Sequence, residues 1–195
     1  KYTLTRTCTA TDECGKGATA TQTITVQDTT AAEFSSVPAD DTVECSDDMP
    51  MDDAVATDNC GPVTIDVEAA TTPGACAGDY TITRTFTATD DCGNSTSATQ
   101  TITVQDTTAP ELSIPADYTA ECSEEHPLED AVATDNCSEV TLEVEADTTY
   151  SCANSYMVTR TFTATDDCGN STQATQTITI QDTTSPALTV PEDYT

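Results

Sequence analysis

Tyr80-Thr-Ile-Thr-Arg-Thr-Phe-Thr-Ala-Thr89 alternates without a break: Tyr80, Ile82, Arg84, Phe86 and Ala88 share one face, and the other face is all threonine. A strict period of two is that of a strand with one face buried. Ala98, Gln100, Ile102 and Val104 alternate with threonines just downstream, and Val63, Ile65 and Val67 alternate with Thr64 and Asp66 upstream. Between the first two strands lies Asp90-Asp-Cys-Gly-Asn94, a cluster of turn-forming residues. No segment carries a helical period. Several short strands in fewer than 80 residues predict an all-β fold, a β-sandwich.

The decisive stretch recurs. Val158-Thr-Arg-Thr-Phe-Thr-Ala-Thr-Asp-Asp-Cys-Gly-Asn-Ser-Thr172 repeats it, and Leu4-Thr-Arg-Thr-Cys-Thr-Ala-Thr-Asp-Glu-Cys-Gly15 is a divergent copy. Arg6, Arg84 and Arg160 mark the period, 84 − 6 = 78 and 160 − 84 = 76 residues. A unit of this size used several times is the signature of a tandem array, which favours spacing, reach or adhesion over one catalytic site. The junction sequence Gln-Asp-Thr-Thr recurs at 27–30, 105–108 and 181–184. It divides the chain into the end of one repeat (1–30), two whole repeats (31–108 and 109–184) and the start of another (185–195). The expected parent is a longer array. The chain shows neither a signal peptide nor a transmembrane run, and an excerpt would carry neither.

Composition narrows the classes. There are 35 acidic and 5 basic residues, a formal charge of −30. Such a surface repels nucleic acid and anionic membranes, so neither is an expected partner. The 44 threonines suit strands. Each whole repeat carries four cysteines: Cys45, Cys60, Cys76 and Cys92, then Cys122, Cys137, Cys152 and Cys168. None forms a C-x-x-C pair, which makes zinc or iron–sulfur sites a poor fit. Four cysteines in a small, lysine-poor unit read as two disulfides per repeat in an oxidising, extracellular compartment. With few large apolar residues and no tryptophan, covalent bonds would compensate for a thin core.

Thr57-Asp-Asn-Cys-Gly61, Thr89-Asp-Asp-Cys-Gly-Asn94 and Thr101-Ile-Thr-Val-Gln-Asp-Thr-Thr-Ala-Pro110, in that order, resemble the hyalin-type (HYR-like) repeat, an immunoglobulin-like module. They resemble above all its cysteine-bearing form in giant surface adhesins and fibres of gliding and marine bacteria of the Bacteroidota type. The resemblance implies an extracellular, non-enzymatic stalk, with neighbouring repeats, or other copies in a fibre, as partners. The opening fragment departs from the pattern, with Cys8 in place of Phe86 and Phe162, which leaves Cys8 without an evident partner. The immunoglobulin-like topology implies that Cys60 and Cys92 share one end of a repeat and Cys45 and Cys76 the other. The expected bonds are therefore Cys45–Cys76, Cys60–Cys92, Cys122–Cys152 and Cys137–Cys168.

Three kinds of site are candidates. The first is a calcium site at each junction, where oxygen ligands from three segments would converge. One set is Asp28, Glu33, Asp58, Asn59, Asp90 and Asp91; the other is Asp106, Glu111, Asp135, Asn136, Asp166 and Asp167. Their bland alternative is turn capping by side-chain hydrogen bonds. The second is glycosylation, at Thr29, Thr107, Thr148 and Thr183 in Asp-Thr-Thr motifs and at Asn94 and Asn170 in Asn-Ser-Thr. The third is structural: Arg6, Arg84 and Arg160 on an apolar face need a partner, expected to be Glu44 or Glu121 or the ring of Tyr80. His126, the only histidine, lies in the acidic stretch Glu124-Glu-His-Pro127, and no catalytic triad, phosphate loop or hydrolase motif occurs. The expected function is a non-enzymatic, disulfide-stapled stalk, with calcium as its one candidate ion. The alternatives are a laterally assembling fibre subunit or a carbohydrate- or ligand-binding module attached to a secreted enzyme.

Overall fold

The computed structural model describes residues 1–191, and the described residues form strands and no helix. The last four residues of the expected fragment 185–195 lie outside them. Strands β1 (Tyr2–Thr11) and β2 (Gly17–Val26) form a hairpin. Residues 31–108, the first repeat of the sequence, carry β3 (Glu33–Ser36), β4 (Asp41–Glu44), β5 (Val55–Thr57), β6 (Val63–Pro73), β7 (Tyr80–Asp90) and β8 (Ser95–Gln105). The second contributes β9 (Glu111–Ser113), β10 (Tyr118–Glu121), β11 (Val132–Thr134), β12 (Val140–Cys152), β13 (Ser155–Asp166) and β14 (Ser171–Gln181). Each repeat is a β-sandwich with one four-stranded sheet, β4-β8-β7-β6 or β10-β14-β13-β12, and one two-stranded pair, β3-β5 or β9-β11. In the second repeat β10 runs parallel to β14, and the other pairings are antiparallel.

By contacts the residues group into two compact units. One comprises 1–43, 47–72 and 80–104; the other comprises 44–46, 73–79 and 105–191 of the described chain. Both disulfides, Cys45–Cys137 and Cys76–Cys168, lie within the second unit.

The alternation read from the sequence is the alternation in space. On β7, Arg84, Phe86, Ala88 and Asp90 are buried while the threonines between them are half-exposed. Across the ladder Arg84 faces Gln100 and Phe86 faces Ala98, so a large residue meets a small one. Phe86, Ala88, Ile102 and Val104 form one core, and Phe162, Ala164, Ile178 and Ile180 the other. Full burial of a side chain such as Phe or Ile contributes about 1.5–3 kcal/mol, so each core is thin. The hairpin turns Asp90–Asn94 and Asp166–Asn170 close on glycines with φ of 89° at Gly93 and 92° at Gly169, a region that side chains other than glycine rarely enter.

Two expectations are corrected here. The buried arginines pair with neutral groups. Arg84 donates to the Asp52 carbonyl (2.8 Å) and to Gln100 Oε1 (2.9 Å), with its guanidinium 4.8 Å from the centre of the Phe86 ring. Arg160 repeats this with the Glu129 carbonyl, Gln176 and Phe162. Neither Glu44, Glu121 nor Tyr80 is the partner. The reason is register: a glutamine stands directly opposite each arginine and is itself buried, its amide donating to the Ala39 or Ala116 carbonyl.

The disulfide pairing also differs. Cys45 bonds Cys137 and Cys76 bonds Cys168, each across 92 residues, so Cys45–Cys76 and Cys137–Cys168 do not form. Cys60, Cys92, Cys122 and Cys152 are free thiols, so Cys60–Cys92 and Cys122–Cys152 do not form either. The expectation treated every repeat as covalently self-contained. Instead the Cys45 N–H donates to the Gln105 carbonyl at the end of β8, which places Cys45 where the chain leaves the first repeat. There it meets a cysteine from the second repeat.

Candidate functional site

The junction sequence Asp106-Thr-Thr108 organises the site, and each part of it has an assigned job. Asp106 caps its own turn, its carboxylate accepting from the Thr108 N–H at 3.3 Å, as Asp28 does for Thr30 and Asp182 for Thr184. Glu44 accepts from the Thr107 N–H and hydroxyl and from those of Thr108, at 2.8 to 3.2 Å. Those hydrogen bonds, led by the Thr107 N–H, hold the Glu44 carboxyl below its ordinary range. Glu121 is treated alike by Thr183 and Thr184. The glutamate before the first cysteine of each repeat therefore clamps the Asp-Thr-Thr motif. Sequence reading missed this role, although the signal was present in Glu44-Cys45 and Glu121-Cys122. Asp79 was missed as well: it accepts from the Asp106 N–H at 3.1 Å. Gly78 leaves room for that approach, since a Cβ there would stand 2.6 Å from the Asp106 Cβ.

Three of the predicted calcium ligands converge. Oxygens of Asp106, Asp135 and Asp166 lie within 4.8 Å of one another, and Asp106 and Asp166 are buried. Their electrostatic settings differ. Burial pushes the Asp106 carboxyl up, helped by the neighbouring charges of Asp135 and Asp166. Burial works against Asp166 too, but hydrogen bonds from the Asn170 side chain and backbone and from the Cys168 and Gly169 N–H groups outweigh it and hold its carboxyl down. Asp135 accepts from the Cys137 and Ser138 N–H groups through one oxygen, while its Oδ1 is buried with no hydrogen-bond partner. In the first repeat Asp58 repeats the pattern, one oxygen holding the Cys60 N–H at 2.7 Å and Oδ1 buried and unpaired. A buried carboxylate oxygen without a donor is costly. Three carboxylates together, one of them with an unpaired buried oxygen, fit a hard cation in chemistry.

Of the other predicted ligands, two are gathered. Asp28 and Asp58 group with Cys60, whereas Asp90 is occupied by Asn94 and the Cys92 N–H. Glu33, Asp91, Glu111 and Asp167 belong to none of the acidic clusters among the described residues. Asn136 lines an open depression of 470 Å³ with Glu111, Thr134 and Asp135, and Asn59 is exposed. His126 joins none of the clusters.

The glycosylation candidates divide. Thr29 and Thr148 are exposed, but the Thr107 and Thr183 hydroxyls are engaged by Glu44 and Glu121. Asn94 and Asn170 spend their amide nitrogens inside the junctions: Asn170 donates to the Asp106 carbonyl and to Asp166, Asn94 to the Asp28 carbonyl and to Asp90. A glycan on that nitrogen would leave it one N–H and forfeit at least one of the two bonds.

These features meet the known proteins at one level. Residues 33–104 match the family described as HYR-like domain with 4 cysteines. Its four cysteines here are Cys45, Cys60, Cys76 and Cys92. No curated protein sequence matches the chain. Among solved structures the chain is similar to Drosophila N-cadherin EC1-4 (16% identity, TM-score 0.36, covering 78% of this chain and 50% of that one). It is similar also to the protocadherin gamma B2 extracellular cadherin domains 1-5 (11% identity, TM-score 0.38, covering 94% and 46%). A third is human mucin-like protocadherin EC1-2 (9% identity, TM-score 0.33, covering 78% and 98%). The chain spans half the length of the cadherin and less than half of the longer protocadherin.

Proposed function

We propose that this chain is a load-bearing segment of an extracellular stalk, built of tandem immunoglobulin-like repeats with junctions near residues 30, 108 and 184, in a giant bacterial surface adhesin or filament. One observation carries the reading: the two disulfides link the first and third cysteines of one repeat to the second and fourth of the next. Disulfides fit an oxidising location outside the cell, and no helix among the described residues is long and apolar enough to cross a membrane. The HYR-like match supports an adhesion-type module over an enzyme.

The connectivity has a mechanical consequence. Tension entering at Cys45 can leave at Cys168 by two parallel routes, residues 45–76 or residues 137–168, each 31 residues long (76 − 45 and 168 − 137) and each closed by a bridge. The 92-residue span held by a bridge cannot pay out under load, which withholds about 300 Å of extended chain at roughly 3.3–3.6 Å per residue. Single-molecule pulling tests this. Oxidised chains should extend about 300 Å less than reduced ones; equal contour lengths would reject the stalk mechanism.

Calcium is the finer part of the proposal. Asp106, Asp135 and Asp166 would hold the ion, which would neutralise three crowded carboxylates and stiffen the junction. A ligand that binds only the folded state stabilises it by RT ln(1 + [L]/Kd), about 2.7 kcal/mol at a hundredfold excess over Kd. Melting in calcium and then in EDTA should show a rise in Tm that Asp106→Asn removes. An unchanged Tm in the native chain would leave the triad as turn chemistry with a shared proton.

A further inference from the structure

Four thiols repeat, position for position, the surroundings of the four bonded cysteines. Cys122 donates its N–H to the Gln181 carbonyl at 2.9 Å, the distance at which Cys45 donates to Gln105. Glu121 clamps Thr183 and Thr184 beside it, as Glu44 clamps Thr107 and Thr108 beside Cys45. Glu121, Cys122 and Asp182 form a cluster that matches Glu44, Cys45 and Asp106 but lacks the fourth member, Cys137. Cys152 follows suit, standing four residues before Tyr156 as Cys76 stands four before Tyr80. The Asp182 N–H is held by Ser155 at 3.0 Å where Asp79 holds that of Asp106.

The complementary half is equally formed. The Cys60 N–H sits on Asp58 at 2.7 Å and the Cys92 N–H on Asp90 at 2.8 Å, against 2.8 and 2.9 Å for Cys137 on Asp135 and Cys168 on Asp166. Cys60 and Cys92 border one depression together with Asp28 and Lys1. The backbone nitrogen of Lys1 lies 3.9 Å from Cys92 Sγ. Tyr2 corresponds to Tyr80, so the segment entering β1 occupies the place from which Cys76 reaches Cys168 in the bonded case.

We propose that Cys122 and Cys152 are a preformed covalent docking point for a further repeat of the same polypeptide, bonding its second and fourth cysteines, and that Cys60 and Cys92 are the matching half for a repeat on the other side. Every junction is then closed by two bridges, and no repeat holds a bond within itself. The inference rests on the tandem-array reading and extends it to a continuous disulfide ladder. Each bond forms by exchange: two thiols lose two protons and two electrons to a disulfide donor, which departs as two thiols. The thiols are accessible for it, since Cys60, Cys92 and Cys152 are exposed and Cys122 is half-exposed. Tyr150, 69% exposed, and Tyr156 beside Cys152 offer apolar surface for the incoming repeat to cover.

The test uses the full chain and a chain lengthened by a second copy of residues 109–184 placed after Thr184. Both are folded in a reduced/oxidised glutathione buffer, alkylated with iodoacetamide and mapped by non-reducing proteolysis and mass spectrometry. In the unextended chain Cys122 and Cys152 should be alkylated. In the lengthened chain both should be lost to the alkylating agent and recovered bonded to the second copy's Cys137 and Cys168. The Cys152→Ser variant of the lengthened chain should retain the Cys122 bond alone. A Cys122–Cys152 bond, or thiols still free in the lengthened chain beside intact Cys45–Cys137 and Cys76–Cys168, would overturn the ladder and leave the array reading standing. Absence of all cross-repeat bonds would overturn both.

Discussion

Residues 2–26 and 80–104 form the same hairpin in two different settings. Their registers coincide: Tyr2 faces Val26 as Tyr80 faces Val104, and Arg6 faces Gln22 as Arg84 faces Gln100. Their turns coincide too, with Gly15 at φ 77° and Gly93 at 89°. Yet all residues of β1 and β2 are exposed, whereas β7 and β8 bury Arg84, Phe86, Ala88, Ile102 and Val104. The hairpin is thus a local product of alternation and turn chemistry. Its core is supplied by distant segments: the Ala39 and Asp52 carbonyls that satisfy Gln100 and Arg84, and the strands β4 and β6 on either side. Within these residues the first hairpin has no covering strands and the second has them, so the pair compares one ladder without and with its cover.

The strongest way to break that comparison is to empty the shared position. Phe86→Ala or Phe162→Ala should cost about 3–5 kcal/mol, seen as a lower denaturant midpoint. Cys8→Ala, at the equivalent place in β1, should change stability by less than about 0.5 kcal/mol. Equal effects would mean that the core is not where the burial puts it. The arginines give a smaller contrast. Arg84→Ala leaves Gln100 Oε1 and the Asp52 carbonyl without a donor and should cost about 1–3 kcal/mol, whereas Arg6→Ala on the exposed hairpin should cost almost nothing. Amide exchange should sharpen the same line, with β7 and β8 protected and β1 and β2 exchanging fast.

The smallest effect is the response to acid. Asp90, Asp166, Glu44 and Glu121 all have carboxyls held below their ordinary range by hydrogen bonds, from Asn94, Asn170, Thr107 and Thr183 among others. A depressed folded pKa contributes stability that is present above the unfolded value, about 3.9 for Asp and 4.3 for Glu, and is lost as pH falls through the folded one. Asp106 runs the other way: its raised carboxyl penalises the folded state once ionised, and acid relieves the penalty. Carboxyl NMR titration should find Asp106 protonating before Asp166 as pH falls. The reverse order would overturn the assignment of hydrogen bonds in the site.

Much of this was legible in the residues. Strand positions, the buried face of β7 and the turn glycines followed from period two and from Asp-Asp-Cys-Gly-Asn, because those depend on neighbours in sequence. The joining of Asp106, Asp135 and Asp166 was also within reach, since the repeat places all three near one junction. The partner of each cysteine was not, because the immunoglobulin-like resemblance assigns the cysteines to ends and is silent on which repeat supplies the other half. The arginine's partner was misjudged for a related reason. Charge complementarity suggested a glutamate, while the cross-strand register delivered Gln100 and Gln176. Glu44 and Glu121 then turned out to serve the Asp-Thr-Thr motif at the junction.

The account stands on bonds that cross from one repeat to the next. A bridge spanning 92 residues contributes about 4–5 kcal/mol on the chain-entropy description, so the pairing also governs how the chain responds to reductant. The most direct measurement is a non-reducing peptide map of the oxidised 195-residue chain. Peptides joining Cys45 to Cys137 and Cys76 to Cys168 are the expected result, with Cys60, Cys92, Cys122 and Cys152 recovered as thiols. Peptides joining Cys45 to Cys76, or Cys137 to Cys168, would contradict it.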